Sequence, residues 1–152
     1  MADASTKVVT TTQIAHVSAG ASIAAAAFSA TIDTALTSTN CKNWPRCDLT
    51  MMYAPASTTA ATLLTIPCFR RDINIDGTAD EAIPTSITQA HFVGNFVLSA
   101  STSTGSHYMN IVDVPLPGNT DCEFYISNAL TNTIPAGWTL KVTPKTDTGA
   151  TA

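Results

Sequence analysis

The sharpest chemical motif in the chain is Asp72-Ile73-Asn74-Ile75-Asp76-Gly77. Oxygen-bearing side chains at every second position, followed by glycine, are how a calcium loop opens. The alternation turns the ligands toward one centre, and the glycine reverses the backbone. Asp72, Asn74 and Asp76 are therefore a candidate calcium set. A full EF-hand loop needs a bidentate glutamate at its twelfth position, which here is Ile83. Asp80 and Glu81 come close, at the wrong spacing. The preferred reading is a strand end with Asp72, Asn74 and Asp76 on its solvated face. Ile73 and Ile75 alternate against them, and Asp76-Gly77 makes the turn. No metal ion and no cofactor is assigned.

His16, His91 and His107 are far apart and each is solitary, whereas a metal site wants a close pair of ligands. No G-x-S-x-G elbow frames a nucleophile, so a Ser-His-Asp site has no local support. The only glutamates, Glu81 and Glu123, have nothing tying them together, and the carboxylates are too scattered for a glycosidase pair. No catalytic residue is assigned. Cys41, Cys47, Cys68 and Cys122 contain no C-x-x-C pair, which argues against structural zinc. Cys41 and Cys47 flank Trp44-Pro45 and would close a small loop if oxidised. The plainer expectation is four small buried hydrophobes. Trp44 and Trp138 are candidate contacts to a ligand or partner. Trp138 follows Pro135-Ala136-Gly137 and opens an apolar strand, so it is expected to seal one end of the core.

The elements that would position these groups are strands. Only 12% of the residues are charged, against a usual share of about 25%. Roughly two in five are Ala, Thr or Ser. The sequence resolves into short runs rich in Thr, Val, Ile, Phe and Tyr between Pro, Gly, Asn and Asp. Strands are expected over 7–17, 21–36, 47–53, 61–75, 87–100, 107–114, 122–126 and 137–143. The second of these competes with a helix because of its four consecutive alanines. Pro67 is expected to break or edge its strand. The run 87–100 is apolar on both parities, which implies a covered second face or a bulge at Gly94. A hairpin-like loop is expected over 101–106. The fold class is all-β: one antiparallel sandwich of about eight strands, jelly-roll-like, spanning 1–152. A mobile arm is expected over 1–6 and a mobile tail over 145–152.

The net charge is −4, and no Lys/Arg block exists to track phosphates, so nucleic acid is not an expected partner. No run approaches the roughly 18 apolar residues that span a bilayer, so a membrane is not expected either. Asp3, Lys7 and the threonines after them do not read as a signal peptide, and synthesis is expected in the cytosol. A neutral, hydroxyl-rich surface suits packing against other protein.

Thr6-Lys7-Val8-Val9-Thr10-Thr11-Thr12-Gln13-Ile14, followed by Ser18-Ala19-Gly20-Ala21-Ser22-Ile23, resembles small virion proteins of tailed bacteriophages. The block from His91 to Thr143 has a similar look, with Val114-Pro115-Leu116-Pro117-Gly118 and Ile134-Pro135-Ala136-Gly137-Trp138. The likeness is diffuse over most of the chain. It implies a non-enzymatic β-sandwich of the virion, assembled in the host cytoplasm. The first form of that role is a capsid decoration (cement) protein that binds the major capsid protein and itself, as a homotrimer. The second is a neck, tail or fibre module using Trp44, Tyr53 and Trp138 as platforms for a receptor or carbohydrate. A small β-sandwich hydrolase is the least favoured, and would need a histidine brought against a serine or carboxylate in space.

Overall fold

The computed structural model describes residues 7–10, 12–30, 32–37, 44–55, 64–75, 77–78, 80–85, 91–98, 105–118 and 120–148. Among them eight strands form: β1 (Lys7–Thr10), β2 (Ile14–Val17), β3 (Arg46–Tyr53), β4 (Leu64–Ile73), β5 (His91–Leu98), β6 (His107–Pro115), β7 (Asp121–Ile126) and β8 (Thr139–Thr148). All pairings are antiparallel. One sheet runs β1-β8-β3-β6, with β2 also on β8, and the other runs β5-β4-β7. β3 shows why: its burial alternates strictly, with Cys47, Leu49, Met51 and Tyr53 inward. Those side chains meet Ile66, Cys68, Phe96, Leu98 and Phe124 from the opposite sheet in one core.

The segment 21–36 is not the single strand expected. It touches the rest through three isolated antiparallel bridges, Ile23–Ile134, Phe28–Ser127 and Leu36–Cys122. Two of these lie beside β7 or its end, so the segment is an interrupted fourth member of the second sheet. Between them the amides of Ala26 and Ser29 donate to the carbonyls of Asn128 and Ile126. Ala26 sits at a φ of 59°, which breaks the extended run inside the alanine stretch. Counting this segment, the sheets read β1/β2-β8-β3-β6 and 23–36-β7-β4-β5. That is the order of two interlocked Greek keys, a jelly roll.

Other details differ from the sequence reading for clear reasons. The run 7–17 divides into β1 and β2, which lie end to end on β8. β8 does not stop at Pro144. It continues to Thr148, with Lys145 buried, so 145–148 is strand and not a mobile tail. Pro144 falls between the registers of β2, which ends at Val142, and β1, which begins at Lys145. A missing donor is tolerated where β8 changes partner. Pro67 lies in the central strand of its sheet, not on an edge. It still accepts from the Ser127 amide at 2.9 Å, and the Ser127 carbonyl takes the Ala129 amide instead. β5 and β6 form no hairpin, because β5 pairs with β4 and β6 with β3. The bulge expected near Gly94 is present: Cys68 pairs Gly94, Phe69 pairs Phe92, and Val93 is the extra residue. The arm 1–6, Cys41, Asp76 and residues 149–152 lie outside the described residues.

Trp138 seals one end as expected, with 2% of its surface exposed. Its Nε1 donates to the Ala21 carbonyl at 2.8 Å, and its own carbonyl accepts from the Gly20 amide at 2.8 Å. The indole lies where a side chain at position 20 would begin. Gly20→Ala should therefore lower stability by about 1–3 kcal/mol through overpacking, read by thermal or denaturant unfolding. Gly118 has nothing within 4 Å of an added Cβ, and Gly118→Ala should stay within about 0.5 kcal/mol of wild type.

Candidate functional site

Polar groups converge at one end of the second sheet, where β4 ends, β5 begins and β7 begins. The loop after β4 brings them there. Asn74, at φ 54°, and Gly77, at φ 91°, reverse the chain, and the Gly77 amide donates to the Asn74 carbonyl at 3.2 Å. The turn read at 72–77 thus forms. Its return leg lies back on β4: the Glu81 amide donates to the Asp72 carbonyl at 3.0 Å, and Glu81 Oε2 accepts from the Asp72 amide at 2.9 Å. Asp80 Oδ1 caps the Asn74 amide at 3.0 Å.

This return leg gives Asp72 different neighbours from those the spacing suggested. Its carboxylate faces Arg70, with Nε–Oδ1 2.7 Å and Nη2–Oδ2 3.2 Å. Asn74 Nδ2 donates to Asp121 Oδ2 at 2.8 Å. Asp72 and Asn74 are therefore engaged in separate contacts, and Asp76 lies outside the described residues. Ile75 is exposed and Asp72 half-buried, which inverts the polarity expected of the strand end. What the fold gathers instead is Asp72, Glu81 and His91, one ligand atom from each within 4.8 Å of the others. His91 Nε2 lies 2.9 Å from Glu81 Oε1. Burial pushes Glu81 up, but the Asp72 amide, His91 and Arg70 outweigh it and hold the carboxyl below its ordinary value.

Arg71 joins the two glutamates. Its Nε donates to the Glu81 carbonyl at 2.5 Å, and Nη1 to Glu123 Oε2 at 3.1 Å. Tyr125 Oη donates to the same Glu123 oxygen at 2.6 Å. Burial, with Glu123 beside it, pushes the Tyr125 phenol up to about 12, so it keeps its proton at neutral pH. This group is a brace for the loop: every member holds a neighbour, and the phenol is not activated as a nucleophile.

The other candidates lie apart. Trp138 and Tyr53 are buried, so neither offers a ring face to a ligand, while Trp44 is half-buried against the core. His107 pairs with Tyr53 across β3 and β6. Cys47, Cys68 and Cys122 are core residues, as expected, and burial pushes the Cys68 thiol well up. His16 is fully buried. Nδ1 lies 2.6 Å from the Thr34 carbonyl, and Nε2 accepts from the Phe124 amide at 2.9 Å. With both nitrogens committed to backbone, the ring is not a general base for the Ser18–Asp33 pair nearby, in which Ser18 donates its amide and hydroxyl to Asp33. The sequence missed the cluster because Glu81 reaches Asp72 through the turn at 74–77 and His91 reaches both through the pairing of β5 with β4, and no periodicity records either.

No known protein-family model, curated protein or solved structure matches the chain.

Burial pushes the His16 imidazole below its ordinary 6.5, against the smaller upward pull of its contacts to Thr34 and Phe124. The folded chain therefore binds fewer protons at His16 than the unfolded chain. Stability from this residue is full above 6.5 and falls as pH drops below it, by up to about 1.4 kcal/mol per unit. Unfolding measured from pH 8 to 5 should show this loss. His16→Gln should be less stable at pH 8 by about 1–3 kcal/mol, from imperfectly met backbone partners, and should lose this component of the slope.

Proposed function

We propose that the protein is a non-enzymatic structural subunit, and in its most specific form a capsid decoration (cement) protein of a tailed-bacteriophage virion. It would bind the major capsid protein, and itself as a homotrimer. The observation that carries the assembly reading is the edge where β5 and β6 adjoin. Both are edge strands of their sheets, and Gly94 lets Ile111 of β6 come close enough that an added Cβ would lie 3.1 Å from it. Four of the six large apolar residues exposed among the described residues lie on these two strands: Phe92 (59%), Val97 (48%), Tyr108 (71%) and Val112 (63%).

An apolar rim on an edge strand is a hazard in a free monomer and an asset in a subunit. Unpaired strand edges offer backbone groups, and the apolar side chains offer desolvation. Around them the outward positions Thr50, Asn110 and Thr143 are neutral, and the charges beside them are paired, Arg46 and Lys145 with Asp113 and Lys145 with Asp48. The jelly roll is a frequent architecture of capsid proteins, and the phage resemblance of 6–23 and 91–143 supplies the finer reading. As a cement protein it would act by mass action, stabilising the lattice it prefers to bind.

Cryo-EM of the particle that carries the chain tests both levels. Regular copies across joints of the capsid lattice are the expected result. Copies confined to the tail or one vertex would replace cement with a connector role, and absence from purified particles would overturn the virion reading. Tyr108→Thr with Val112→Thr should leave stability within about 1 kcal/mol, because both residues are exposed and threonine suits a strand. The same pair should weaken binding to expanded, emptied capsids about tenfold or more. Unchanged capsid affinity would remove the β5–β6 edge as the docking surface.

A further inference from the structure

We propose that Asp72, Glu81 and His91 form a binding site for a first-row divalent metal ion, with Zn2+ the best fit. The three side chains come from β4, the returning loop and β5. Tetrahedral zinc holds N and O ligands at about 2.0–2.2 Å, which sets ligand atoms roughly 3.3 Å from one another. Here His91 Nε2 and Glu81 Oε1 are 2.9 Å apart, and no pair of the three ligand atoms exceeds 4.8 Å. An ion would open the first distance by a few tenths of an ångström and close the widest by roughly an ångström and a half or less. Both carboxylate-bearing residues are half-buried, and His91 and Glu81 are exposed enough for an ion to enter.

The donor chemistry selects the ion. Two carboxylates and a neutral imidazole match the charge of a divalent cation. An imidazole among the ligands favours zinc and its neighbours over calcium, which takes oxygen. The calcium reading of 72–76 therefore gives way to a different metal on one shared ligand, Asp72. Arg70 fits as the outer partner that orients a ligating carboxylate. Both Asp72 oxygens lie against Arg70, Oδ1 at 2.7 Å from Nε and Oδ2 at 3.2 Å from Nη2, so a bound ion would share this carboxylate with the guanidinium. Three ligands leave a fourth position for water or for a donor from a partner.

Bound metal would tie the loop to both strands and would stabilise the fold according to its affinity. The test is calorimetric titration of the tag-free full chain with Zn2+ alone, near neutral pH, with thermal unfolding in parallel. The expected result is saturable one-to-one binding and a raised Tm. His91→Ala should lower affinity by at least about tenfold and abolish the rise in Tm. His91 is exposed, so this variant is expected to fold. Glu81→Gln should act in the same direction, and His107→Ala should retain wild-type binding. Absence of saturable binding would overturn the site. So would His91→Ala binding as tightly as wild type, or Ca2+ raising the Tm as much as Zn2+.

Discussion

The two nitrogens of the His16 ring bridge two parts of the chain, the segment 21–36 and β7, from a third, β2. Nδ1 holds the Thr34 carbonyl and Nε2 holds the Phe124 amide, while the His16 carbonyl accepts the amides of Asp33 and Thr34. His16 itself belongs to β2 in the first sheet, and Phe124 to β7 in the second. The imidazole thus bridges the Thr34 carbonyl and the Phe124 amide by side-chain hydrogen bonds. It does this only while neutral, since the doubly protonated ring has no lone pair for the Phe124 amide. A buried donor without its partner costs more than an ordinary hydrogen bond contributes. The interrupted strand and the union of the sheets at this end draw on that ring together with the Leu36–Cys122 bridge and the Ser29 contacts to Ile126.

Trp138 closes the same side by a complementary route. The indole occupies the place of a side chain at Gly20, so glycine is required there by space and not by a turn. Three hydrogen bonds surround the contact, from Gly20 to the Trp138 carbonyl, from Gly137 to the Gly20 carbonyl, and from Trp138 Nε1 to the Ala21 carbonyl. A ring fixed in this way contributes packing and register together. This is why the residue that seemed a platform for a ligand is a structural plug.

β3 alternates cleanly and was legible from Leu, Met and Tyr at period two. β6 and β7 were legible as strands, although Val112 and Asp113 are both exposed in β6 and Phe124, Tyr125 and Ile126 are all buried in β7, and the sandwich follows from the number of strands. The misjudged parts share a cause: side chains or neighbours replaced backbone pairing. The segment 21–36 has the composition of a strand, but its place is set by His16, Asn128 and Ser29. Asn128 donates to the Ile23 carbonyl, and the Ser29 hydroxyl accepts from the Ile126 amide. Pro67 and Pro144 read as strand ends because proline lacks a donor, yet each sits where the register does not need one. At the site, Asp72 stands out in the sequence for its spacing to Asn74 and Asp76, whereas the groups that the fold gathers beside it, Glu81 and His91, are nine and nineteen residues away. Such contacts depend on a turn geometry that composition suggests but does not measure.

The bulge at Val93 joins the two surfaces to which function is assigned. Along β5, Phe92, Gly94, Phe96 and Leu98 share one parity in sequence, and an unbroken strand would turn Phe92 inward with Phe96 and Leu98. The extra residue reverses the alternation. Phe92 comes to lie opposite Phe69 on the outer face, its ring 5.7 Å from that of Phe69, and contributes to the apolar rim. His91 comes to lie opposite Arg70, on the face of β4 that carries Asp72, and so reaches Glu81. One irregular residue thereby aims adjacent side chains at different surroundings, the proposed ion-binding cluster and the proposed docking edge. Because His91 and Phe92 are consecutive, tightening the cluster fixes the start of β5, and the geometry of the docking edge follows from it.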